Sequence, residues 1–93
     1  MPNLYAIDDD APFAPQLRDF LALRGSAVVP VHRSDDMVRV AAEIVRTAAA
    51  HPALRGRIGQ LFLMAHGDAG NLRLGTGLTR ETAADLGPVW NAL

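Results

Sequence analysis

Ninety-three residues, 49% hydrophobic and 20% charged, describe one small globular domain whose core is limited, since a chain this short buries only about 60–65% of its unfolded surface. The net charge is −1 and all nine basic residues are arginine, so there is no basic stripe for nucleic acid and no lysine amine for covalent chemistry. The absence of cysteine excludes disulfides, thiolate metal sites and a thiol nucleophile from this chain. Met1-Pro2-Asn3 is not the start of a secretory signal, and no apolar run approaches the ~20 residues of a membrane span. A cytoplasmic location with no membrane partner is the corresponding expectation.

Leu4-Tyr5-Ala6-Ile7 reads as a first strand that ends in the acidic turn Asp8-Asp9-Asp10. Pro12 and Pro15 suit a helix start, and Phe13, Leu17, Phe20 and Leu21 then fall on one helical face, with Gly25 as the stop. Ala27-Val28-Val29-Pro30-Val31 predicts a second strand, placed at a sheet edge because Pro30 removes a ladder donor. Ser34 is the expected N-cap of a second helix, in which Met37, Val40, Ala41, Ile44, Val45 and Ala48 keep the helical period up to His51-Pro52.

Ile58 to Ala65 is the most hydrophobic segment, and its apolar residues do not alternate, which predicts a central strand covered on both faces. It runs into the turn formers His66-Gly67-Asp68-Ala69-Gly70-Asn71. Leu72-Arg73-Leu74 predicts a short extended piece or hairpin. Thr79 is the expected cap of a last helix carrying Ala83, Leu86, Trp90 and Leu93 on one face, broken or kinked at Gly87-Pro88. The alternation of strands and helices predicts a small three-layer αβα domain with a short, mainly parallel sheet. Residues 1–93 form a single domain on this reading. The end on an apolar helix, with no closing strand, suggests the front part of a larger one.

His66 is the principal candidate for chemistry. It stands at the carboxyl end of the third strand, where ligands gather in open α/β sheets, and it titrates near neutrality. Gly67 lets the backbone turn and a substrate approach, and Asp68 can orient the ring or meet a cation. The competing reading is a solvated turn. Asp8, Asp9 and Asp10 belong to the same edge if the first and third strands are neighbours. Carboxylates with a histidine can hold Mg²⁺ or Ca²⁺, but their spacing selects no metal, and a solvated acidic turn is the expectation. His32 and His51 read as surface residues, and Trp90 and Met37 as core. Gly70, Gly75 and Gly77 make no phosphate loop. No cofactor and no metal are expected.

The segment from Leu61 to Gly75, with a hydrophobic strand ending in His66-Gly67 and a Leu-Xaa-Leu-Gly step from Leu72 to Gly75, resembles a bacterial caspase-like domain of the caspase and gingipain class of cysteine peptidases. The resemblance implies that His66 assists attack on a peptide carbonyl, that Gly67 helps form the oxyanion site, and that a cysteine at the end of the next strand is the nucleophile. With no cysteine here, it implies either a completing subunit or C-terminal segment that supplies the thiol, or an inactive relative that binds a protein or peptide. Leu4 to Asp10 is also similar to the first strand and acidic pair of response regulators. The remainder departs from that pattern, since no lysine is present and Ala65-His66 stand where an acceptor aspartate belongs.

Overall fold

The short apolar runs and the helical periods fold into a computed structural model that describes residues 3–65, 67–68 and 71–93. The chain forms β1 (Asn3–Asp8), α1 (Ala14–Leu23), β2 (Ala27–Val31), α2 (Met37–Ala50) and β3 (Gln60–Met64) in that order. Three two-residue strands follow, β4 (Gly67–Asp68), β5 (Asn71–Leu72) and β6 (Leu78–Thr79). A 3₁₀ turn (Ala83–Leu86) leads into α3 (Gly87–Ala92). The main sheet is parallel with order β2-β1-β3, and β4-β5-β6 make a separate antiparallel meander.

The expected small αβα domain is present, and β2 lies at an edge as Pro30 requires. The central strand is β1, however, and not β3. Leu4, Ala6 and Ile7 in β1 are fully buried, whereas Phe62 in β3 is 37% exposed. The unbroken apolar run of β3 reflects contact on both faces rather than neighbours on both sides. Met64 packs with Ile7, Ala14 and Leu21 under α1. Leu61 and Leu63 pack on the opposite face against the core shared with α2 and α3.

Several local expectations are corrected. The N-cap of α2 is Asp36, not Ser34: its carboxylate accepts the Arg39 amide at 2.9 Å from an extended backbone, while Asp35 accepts the His32 amide at 3.0 Å. Thr79 ends β6 rather than capping a helix, because its hydroxyl and amide engage Thr82, whose own hydroxyl donates to the Gly77 carbonyl at 3.0 Å. The break expected at Gly87-Pro88 is where the 3₁₀ turn ends and α3 begins, its first turn taking the proline because the missing N–H costs nothing there. That start turns Val89 and Ala92 inward and leaves Trp90, expected in the core, 49% exposed. The face expected on α1 is also only partly buried. Leu21 is in the core, but Phe20 is 52% exposed.

The larger core cluster centres on α2, where Met37, Val40, Ala41, Ile44 and Ala48 are all buried as their spacing predicts. Ile44 is completely buried. Ile44→Ala should therefore cost about 2–5 kcal/mol, a large share of the ~5–15 kcal/mol that holds a domain folded. Val38→Ala on the same helix, at a 60% exposed site, should change stability by less than about 0.5 kcal/mol. Urea titrations of the two variants measure both; equal midpoints would contradict this packing. Among the described residues no helix is long and apolar enough to cross a membrane.

Candidate functional site

Because the three strands of the main sheet run parallel, the loops leaving β1, β2 and β3 all emerge at one edge. The chain passes from β1 through α1 to β2 on one side, and from β2 through α2 to β3 on the other. The order therefore reverses between β1 and β3, and the crevice at such a reversal is where open α/β sheets bind ligands. Asp8 ends β1, and Asp9 and Asp10 form the turn after it. The register sets Ile7 beside Met64, so the acidic turn and the exit of β3 are neighbours. His66 follows that exit and lies outside the described residues. Gly67 and Asp68 form β4, paired with Leu72 and Asn71 of β5.

The acidic turn is tied down residue by residue. Asp8 folds its carboxylate back to accept the Asp10 amide at 3.0 Å. The Asp9 amide donates to the Val31 carbonyl at 2.9 Å, fixing the turn against the end of β2. The Asp9 carboxylate lies 3.0 Å from an Arg18 guanidinium nitrogen of α1 and 3.4 Å from His32 Nδ1. The Arg18 contact lacks the alignment of a hydrogen bond, and Asp9 Oδ1 is buried without one. Asp10 reaches Arg33 at 3.6 Å. Asp9 is thus committed to a cation and a histidine, whereas Asp8 and Asp10 border open space.

That space is a cavity of about 350 Å³ lined by Asp8, Asp10, Arg33, Arg73, Gly75, Thr76 and Gly77. Its floor depends on one close approach. Thr76 donates its amide to the Asp35 carbonyl at 2.7 Å, and Gly75 sits at φ +61° with that same carbonyl pressed against it. The arginines at 33 and 73 and the 75–77 turn belong to the site and were not among the sequence candidates. In the sequence Gly75 ends a Leu-Xaa-Leu-Gly step and belongs to no phosphate loop.

The sheet edge therefore brings Asp8, Asp9 and Asp10 together with His32, which the sequence assigned to the surface and which is 64% exposed while contacting Asp9. His51 stands apart at the end of α2, where its Nδ1 accepts the Ala53 amide at 3.2 Å. Among the described residues no group of three or more histidine, cysteine or acidic side chains converges as a metal site would. Chemically, the edge offers carboxylates and guanidiniums around a pocket open to a polar, charged or peptide-like ligand. Comparison with known proteins finds no matching family model, no matching curated protein and no matching solved structure.

Proposed function

We propose that this chain is the histidine-bearing part of a caspase-like domain, with His66 as the general base of a Cys/His peptidase site whose thiol comes from another polypeptide segment. The observation that carries the reading is topological. The β3 exit borders the crevice where the strand order reverses, His66 follows that exit in the sequence, and the end of β1 on the other side of the crevice lines a cavity large enough for a side chain of a peptide. In this reading His66 takes the thiol proton, the thiolate attacks the peptide carbonyl, and the proton passes to the departing amine. Gly67 contributes its backbone N–H to the developing oxyanion. On this reading Asp8, Asp9 and Asp68 are the residues expected at the edge of the site. Asp9, held by Arg18 and His32, acts as a positioning residue for the acidic turn. The place of action on this reading is the cytoplasm.

The missing cysteine makes a clean test. The assembly isolated from its own cells should hydrolyse peptide substrates, and a thiol alkylator should stop it. Treating the isolated chain first should have no effect, since it holds no thiol to block. Hydrolysis that ignores the alkylator, or an assembly that cleaves no peptide, would remove the peptidase reading.

A second reading, a non-catalytic protein-interaction module of the same fold, is favoured by a separate observation. The surface around β3, α1 and α3 exposes Phe20, Phe62, Trp90 and Leu93. Patches of this kind mark interaction sites more often than chance exposure.

A further inference from the structure

The two edges of the main sheet are built differently. The β2 edge carries the exposed Pro30, which cannot donate to an incoming strand. The β3 edge has no such guard: Gln60-Leu61-Phe62-Leu63-Met64 contains no charge, no proline and no glycine. Among the described residues β3 pairs with β1 alone, so its outer side presents main-chain donors and acceptors to any strand laid beside it.

Apolar surface wraps this edge on both faces. On one face Phe13, Leu17, Phe20 and Met64 line an open hollow of about 450 Å³. On the other, Trp90 and Leu93 border β3 around a hollow of about 410 Å³. Phe62 lies at the edge itself, stacked on Tyr5 with ring centroids 4.8 Å apart.

We propose that this edge pairs with the same edge of a second copy, antiparallel, about a two-fold axis normal to the sheet and close to Phe62. Such an axis keeps the layers in place: α1 stands beside its counterpart on one face and α3 beside its counterpart on the other. The two three-stranded sheets become one. A two-fold contact sets a surface against itself, so charges within it would repel. Gln60 to Met64 carries no charge, so the paired strands themselves raise no such obstacle, and the Arg24 guanidinium lies at the margin of the patch, 5.3 Å from the centroid of the Phe20 ring.

The area also fits. Phe13, Phe20, Phe62, Trp90 and Leu93 leave between about a third and a half of their surface in water. With aromatic side chains of roughly 150–250 Å² each, the patch offers on the order of 400–500 Å² of apolar surface per copy. A standard interface buries about 800 Å² per partner, a little over half of it apolar, so the patch supplies the apolar share of one such interface. The inference rests on the interaction reading and names its partner. A completing strand would compete for the same edge.

Sedimentation equilibrium, with hydrogen exchange at low and high concentration, tests it. The wild-type chain should run at twice its monomer mass with a dissociation constant in the micromolar range or tighter. Amides 60–64 should exchange more slowly as concentration rises. Phe62→Lys, which sets two cations across the axis, should lose the dimer while keeping the circular dichroism spectrum. Trp90→Glu, outside the strand, should lose it too and serves if Phe62→Lys does not fold. A monomer at every concentration would overturn the proposal. So would a dimer that survives both substitutions, one whose 60–64 amides are indifferent to concentration, or a monomer that takes up only an unrelated strand. Peptide hydrolysis is a separate readout, so either reading can fail without the other.

Discussion

Gly75→Ala should lower the stability of this domain by about 2–5 kcal/mol, more than any other one-carbon addition we would expect near the site. Two independent penalties meet at this position. The residue has φ +61°, where a Cβ costs roughly 1–2 kcal/mol against the backbone. The added carbon would also stand 2.1 Å from the Asp35 carbonyl oxygen and 3.3 Å from the end of the Met37 side chain. The methionine can move, but the carbonyl cannot move freely. It accepts the Thr76 amide at 2.7 Å and belongs to the segment leading into the N-cap of α2. Overpacking of this kind typically adds about 1–3 kcal/mol. At roughly 4–8 °C per kcal/mol for a domain of this size, the melting temperature should fall by at least about 8 °C.

A contrast sharpens the test. Gly25 also has positive φ, +73°, but a Cβ there meets nothing within 4 Å. Gly25→Ala should therefore show only the backbone penalty, about 1–2 kcal/mol. Thermal unfolding followed by circular dichroism separates the two variants. Equal shifts would mean that the 75–77 turn does not rest on Asp35, and the cavity beside Asp8 and Asp10 would lose its floor.

Much of the architecture is written in local pattern. The buried face of α2 follows from the spacing of Met37, Val40, Ala41, Ile44 and Ala48, and the stop of α1 from Gly25 at positive φ. What pattern cannot carry is which strand lies beside which. Leu61, Phe62, Leu63 and Met64 read as central because helices cover both faces, yet hydropathy is blind to the missing neighbour along the hydrogen-bonding direction. Trp90 fails differently. Its helix begins at Gly87, so the inward positions are Val89 and Ala92.

The site divides in the same way. Asp8, Asp9 and Asp10 were legible as an acidic turn after a strand, and their nearness to the β3 exit followed from treating β1 and β3 as neighbours. The pairing of Asp9 with Arg18 and His32 was not legible, nor was the seating of Thr76 on Asp35, because each joins residues far apart in sequence through tertiary contact. His66, the centre of the proposed chemistry, rests on its position after β3 and on the residues around it in the chain.

The largest functional effect should come from His66 itself. A thiol at ordinary acidity is mostly protonated at neutral pH, so a Cys/His site without its base loses both thiolate formation and protonation of the leaving amine. A positioned acid–base group is worth about 10²–10⁴-fold in rate, and its removal should cost at least that much. We would therefore measure peptide hydrolysis by the assembled protein carrying His66→Ala, beside the wild type and with melting temperatures recorded for both. The expected result is near-complete loss of hydrolysis with an almost unchanged melting temperature. Equal hydrolysis by the two proteins would contradict a catalytic role for His66 and leave the chain as an interaction module.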